Sequence, residues 1–215
     1  MKNRFISFNR CASLIIAAAL VLTAPTTYGQ SFVEGEDYVT LQGDAVILPD
    51  GRVEVIEFFW FGCPTCFRFE PILLAWDKPE TISFKTVPAI LNRASEFHAH
   101  AYYAMELLDL QDQLMQPFYD ELHVKRNRVV NAEDFEAWAS TQSGVDASKL
   151  ATTTHSFAAM TKVRQANLLA EKYKISGVPT MVVGGKYRTS PAMADSFIHS
   201  LEIVEFLVEK VLAGQ

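Results

Sequence analysis

The stretch EFFWFGCPTCFRFEP, residues 57–71, decides how the chain is read. It runs an aromatic segment into two cysteines three positions apart. Upstream, RVEVIEFFWF (Arg52 to Phe61) is rich in Val, Ile and Phe and almost wholly apolar from Val55, the pattern of a strand buried on both faces. Gly62 ends it. CPTCFRFEPILLAW then reads as a helix with Pro64 in its first turn, where a missing N–H is no loss. Pro71 is expected to kink that helix. In mid-helix, residues three apart hold their Cβ atoms about 5–6 Å apart, whereas a disulfide wants about 3.5–4.5 Å. A Cys-x-x-Cys pair therefore bonds readily only at an opening first turn, which is where Pro64 puts this one. Unpaired backbone N–H groups and the positive end of the helix dipole favour a thiolate there. Cys63 is accordingly expected to have a depressed pKa and to act as nucleophile, with Cys66, one turn in, as the buried resolving thiol.

Two other uses of the pair fit less well. A structural zinc site takes four ligands, no second cysteine pair exists, and His98 and His100 of FHAH face different ways if they lie on a helix. A passive staple across so short a loop gains little from closure. Redox exchange needs neither a metal nor an organic cofactor, and none is expected.

Composition narrows the setting. A formal charge of −6 over 215 residues argues against a nucleic-acid surface, and the basic run KRNR (Lys125 to Arg128) is short enough for a solvated loop or helix end. At the N-terminus, Lys2, Arg4 and Arg10 precede an apolar segment from Ala12 to Ala24. That segment falls short of the roughly 20 apolar residues of a membrane span, so it fits a retained anchor less well than a secretory signal peptide. Residues 1–29 are expected to be removed after Gly29, and Cys11 with them. Export implies an oxidising compartment, in which Cys63 and Cys66 are the remaining cysteines.

Beyond the cysteines, TISFKTVPAI (Thr81 to Ile90) reads as a second strand, parallel to the first if the intervening helix is a crossover. From about Ser95 to Ser156 the period becomes helical. Phe97, Ala101, Met105 and Leu108 share one face, and Leu114, Phe118 and Leu122 another. Asn131 is a predicted N-cap before AEDFEAWA. This block reads as an inserted helical subdomain. A helix from about Phe157 to Tyr173 leads back to VPTMVVGGKYRTS, two short strands flanking a two-residue hairpin turn at Gly184-Gly185. In the last helix Phe197, Leu201, Val204, Val208 and Val211 form a core-facing stripe.

EFFWFGCPTC together with GVPTMVVGGKYR resembles the thioredoxin superfamily, and within it the DsbA family of bacterial thiol:disulfide interchange proteins. The resemblance covers essentially the whole mature chain and implies an α/β thioredoxin fold with an inserted all-helical subdomain. Residues 30–92 and 158–215 would form the thioredoxin-like part and 93–157 the insertion. It also implies that Val178-Pro179 is a cis-proline loop opposite the cysteines, presenting the Val178 backbone to an extended substrate. Glu57 falls where the superfamily keeps a buried acid, its pKa raised by desolvation, able to exchange a proton with Cys66. Glu70 and Lys85 match charged positions near that acid, though surface positions are as good a reading. Trp60 and Phe61 are candidates for a groove that takes unfolded chains, with the core as an equal reading, and Phe58 and Phe59 suit the core slightly better.

The chain departs from the family at Thr65, where histidine is usual between Pro64 and Cys66. A hydroxyl offers the Cys63 thiolate less than an imidazolium does, so Thr65 predicts a weaker oxidant. The function implied is a periplasmic, monomeric oxidoreductase that introduces disulfides into newly exported proteins with free cysteines, reoxidised by a DsbB-like membrane partner. A periplasmic reductase or isomerase, and a peptide-binding chaperone module on the same fold, are the alternatives.

Overall fold

The computed structural model describes residue 1 and residues 32–215; the expected cleavage point after Gly29, the apolar segment before it and Cys11 lie outside the described residues. Five strands make one sheet: β1 (Val39–Thr40), β2 (Val53–Phe59), β3 (Ile82–Pro88), β4 (Thr180–Val183) and β5 (Tyr187–Thr189). Their order is β1-β5-β4-β2-β3. β2 and β3 run parallel, with Glu57 opposite Thr86, as the crossover reading requires. β4 lies antiparallel on the other side of β2. Flanked on both edges and covered on both faces, β2 is buried along nearly its whole length. This explains why its sequence is mostly apolar.

The crossover helix is α1 (Pro64–Ala75), with Pro64 at its start. It continues through Pro71, which is exposed, so the proline does not end it. Between β3 and β4 come five helices: α2 (Arg93–Leu107), α3 (Gln111–His123), α4 (Ala132–Ala139), α5 (Ala147–Thr153) and α6 (Phe157–Lys172). Asn131 caps α4 as predicted, accepting from the Asp134 N–H. Asn92 and Ser95 form a reciprocal capping box on α2. After β5, α7 (Phe197–Leu212) buries Leu201, Val204, Val208 and Val211, the predicted stripe.

The hairpin turn differs from the two-residue expectation. Val183 pairs with Tyr187, so Lys186 joins Gly184 and Gly185 in a three-residue connection. Both glycines have positive φ, 55° and 67°, and the Lys186 N–H closes onto the Val183 carbonyl at 3.0 Å. The glycine signal located the turn correctly; the register depends on where the ladder resumes, which the glycines do not encode.

Two cores result. Val53 and Val55 pack with Phe69 and Leu73 of α1 and the α7 stripe. Ile56, Phe58, Phe59, Phe61 and both cysteines pack with the helical insertion. Among the described residues, no helix is long and apolar enough to cross a membrane.

Candidate active site

Cys63 is the N-cap of α1. Its extended backbone (φ −88°, ψ 117°) turns the chain into the helix, and its Sγ accepts from the Cys66 N–H at 3.4 Å. A sulfur thus occupies the position where a serine or aspartate oxygen usually satisfies a first-turn N–H. Both thiols are free and buried in this structure. The Cys63 thiol is pulled down to about 6. Hydrogen bonding from the Cys66 side chain contributes most, desolvation opposes it, and the backbone N–H groups of Cys66 and Thr65 add to the pull. Cys66 goes the other way. Burial, and then its neighbour Cys63, push its thiol far above the ordinary range. The two sulfurs are therefore inequivalent in the sense expected from the helix start.

Glu57 is 1% exposed, buried as the resemblance implies. Burial pushes its carboxyl well above the usual range, the charges of Glu70 and Cys63 reinforce this, and the Thr86 hydroxyl opposes it. Glu70 is buried too, with its carboxyl raised by desolvation. Lys85 pairs with Glu54 at 2.6 Å rather than with either buried acid. All three of Glu57, Glu70 and Lys85 nevertheless line one cavity of about 490 Å³, which Tyr102 and Lys162 also line.

The Val178–Pro179 peptide is cis, and the Cys63 thiol donates to the Val178 carbonyl at 3.5 Å. This brings the second motif onto the first across 115 residues. Pro64 is exposed at the first position of α1. Thr65 is half-buried, and its hydroxyl accepts from Arg68 at 3.5 Å instead of turning to Cys63.

The aromatic lead-in divides between the two readings left open for it. Phe58, Phe59 and Phe61 are fully buried, so Phe61 belongs to the core and not to a groove; its ring meets Phe59, Phe118 and Tyr119 edge-on. Trp60 stays partly exposed. Its indole N–H donates to His98 Nδ1 at 2.9 Å, and His98 Nε2–H donates to the Val129 carbonyl at 2.8 Å. Burial lowers the His98 imidazole to about 4, which keeps Nδ1 free to accept. Both of its ring nitrogens are thereby engaged, while His100 turns to the Thr154 carbonyl.

Sequence reasoning missed His98 in this role, and also Tyr119 and His123. Tyr119 is buried with an unpartnered hydroxyl. His123 stacks on Phe67. The helical spacing of Tyr119 and His123, four apart in α3, is the one local sign that they share a face.

Comparison with known proteins agrees with this geometry. The DSBA-like thioredoxin domain family matches residues 71–202. The thiol:disulfide interchange protein DsbA of Burkholderia cepacia is 35% identical over 202 residues, covering 93% of each chain. That of Pseudomonas aeruginosa is 29% identical, covering 94% of this chain and 98% of the other. The crystal structure of Pseudomonas aeruginosa DsbA superimposes with a TM-score of 0.79 at 31% identity, covering 85% of this chain and 95% of that one. DsbA from Xylella fastidiosa does so at 0.75 and 26%, over 84% and 98%. In sequence and in fold, this chain belongs to the DSBA-like thioredoxin domain family.

Proposed function

We propose that the mature protein is a periplasmic thiol:disulfide oxidoreductase that gives its Cys63–Cys66 disulfide to newly exported proteins carrying free cysteines. One observation carries the reading: the chain caps α1 with a sulfur that is acidic, and buries the second sulfur where it is not.

In the forward reaction a substrate thiolate attacks Cys63 Sγ, and the Cys63–Cys66 bond breaks with its electron pair on Cys66. A thiol as weakly acidic as Cys66 leaves badly as an anion, so it takes a proton as the bond breaks. Glu57, kept protonated by burial, is the donor we assign. The second substrate thiolate then attacks the substrate sulfur of the mixed disulfide and releases Cys63 as a thiolate, a good leaving group because its pKa is low. The substrate loses two electrons and gains a disulfide; the enzyme ends as a dithiol.

Pro64 and Thr65 tune this exchange by setting which donors reach Cys63. Val178 and Pro179 hold the substrate segment, the Val178 backbone offering strand-like hydrogen bonds beside the reacting sulfur. A DsbB-like membrane partner restores the disulfide, and the protein works as a monomer. Residues 30–92 and 158–215 form the thioredoxin-like part and 93–157 the helical insertion, a division that assigns α6, which packs on α2 and on β3, to the thioredoxin-like part.

The test is oxidation of a reduced two-cysteine peptide by the oxidised protein. One peptide disulfide is expected per enzyme disulfide consumed. Cys63→Ser should abolish it, and persistence of peptide oxidation in that variant would remove the reading.

A further inference from the structure

At the end of α3 a histidine of the helical insertion meets the cysteine turn. His123 is the last residue of that helix. Its Nε2–H donates to the Phe61 carbonyl at 2.6 Å. Its ring lies flat on Phe67, with centroids 4.8 Å apart and planes 11° from parallel. Phe61 stands two residues before Cys63 and Phe67 directly follows Cys66, so the imidazole is fastened to both flanks of the motif. A carbonyl only accepts, which fixes one proton on Nε2 and leaves Nδ1 as the atom that takes the second.

The two helix ends at this corner have opposite polarity. The C-terminal end of α3 carries the negative pole of its dipole and favours a cation on His123. The N-terminal end of α1 carries a positive pole and favours an anion on Cys63. Thr65, between the cysteines, spends its hydroxyl on Arg68 and brings no charge.

We propose that His123 is a positioning residue for thiol exchange: its imidazolium form stabilises the Cys63 thiolate, supplying from the insertion the cation that the cysteine motif lacks. This rests on the thiol-exchange reading of the site. A charge on His123 lowers the Cys63 thiol, in the same direction as the backbone donors.

The remaining ionisable groups around the corner do not compete for this role. On β2, Glu57 is pushed towards its neutral form by burial. On α2, His98 is neutral for the same reason. On α1, Cys66 stays a thiol. Within α3, Tyr119 keeps its proton, and Glu121 is occupied by Lys125 and Asn127. Lys125 and Arg126, just past the helix end, are fixed positive charges. Beside these groups, Cys63 is the one whose charge the redox state switches through a low-lying titration.

Stabilisation between two sites is mutual. An imidazolium that holds the thiolate is itself held by it, and oxidation to an uncharged disulfide removes that hold. The decisive measurement follows the His123 Cε1–H resonance against pH in the reduced and in the oxidised protein, assigned by its through-space contacts to the Phe67 ring. The resonance at a given pH near neutrality is expected to lie further downfield in the reduced form than in the oxidised form. In parallel, His123→Gln keeps a donor for the Phe61 carbonyl but no charge. Thiolate absorbance of Cys63 in that variant should titrate higher, with the thiolate fraction at about pH 6 falling roughly two- to fivefold. An unchanged His123 resonance between the two redox forms, or an unmoved Cys63 titration in His123→Gln, overturns the proposal and leaves thiol exchange standing. A wild-type Cys63 that titrates like an ordinary thiol overturns both.

Discussion

Glu57 is the residue at which folding and function pull apart. Its folded carboxyl titrates well above the 4.5 of an unburied one, so the folded form keeps a proton that the unfolded chain releases. Stability is therefore full below about 4.5 and is lost as pH rises, by about 1.4 kcal/mol per pH unit until the folded carboxyl itself ionises. Glu57→Gln removes that slope. Urea unfolding of the oxidised protein should show the variant more stable at neutral pH, by a margin that widens with pH. The same variant has no proton to give Cys66, and mixed-disulfide formation should slow by about 10²-fold. At Thr65 the effect is on redox strength. Thr65→His places an imidazole inside the motif and should raise the reduction potential by about 30 mV for each unit that the Cys63 thiol falls, read against a glutathione buffer. Glu57 and Thr65 were legible through the family resemblance, Glu57 as an acid in an apolar strand where the superfamily keeps one and Thr65 as a departure from the family's histidine. His98 and His123 were not. Their partners lie 38 and 62 residues away, and no local signal marks a side chain whose role comes from tertiary contact.

At the scale of elements, the junction from β2 into α1 depends on how Trp60 is held. The indole is tied to His98 and lies over Gly62, where an added Cβ would stand 2.4 Å from a ring carbon. No side chain fits there without moving the ring. Gly62→Ala should cost about 1–3 kcal/mol by overpacking and change the tryptophan emission as the indole leaves its histidine; an unchanged spectrum and unfolding midpoint would show that the ring is free to move. The elements were legible where one residue dictates local conformation. Pro64 and Gly62 bracket the helix start, and Asn131 caps α4. Legibility stopped where elements meet. Lys85 reads from sequence either as a neighbour of the buried acid or as a surface residue; it lines that acid's cavity but spends its charge on Glu54 of the adjacent strand.

For the whole molecule, the Cys63 thiolate links redox state to stability. The reduced protein holds this thiol at about 6 against 9.0 for an ordinary one. That depressed group stabilises the folded reduced form most above the unfolded value, and the benefit disappears as pH falls through about 6. At pH 7 it amounts to about 1.4 kcal/mol and at pH 5 to almost nothing. The stability of the reduced form relative to the oxidised form should therefore drop by about that amount between the two pH values, measured by paired urea titrations. A constant difference would show that the thiolate is not held. The order of strands, insertion and final helix was legible because each part carries its own periodicity, and the resemblance of the two motifs supplied the thioredoxin-like fold. The joining of sites across the insertion was not, because it is a property of the closed fold. That separation also has a consequence in time. Polypeptides are made from the N-terminus, and Val178, whose carbonyl Cys63 touches, comes 115 positions after it. A nascent copy thus exposes its reactive sulfurs well before the loop that would dock a client has been synthesised, and it becomes a complete catalyst only when its last third arrives.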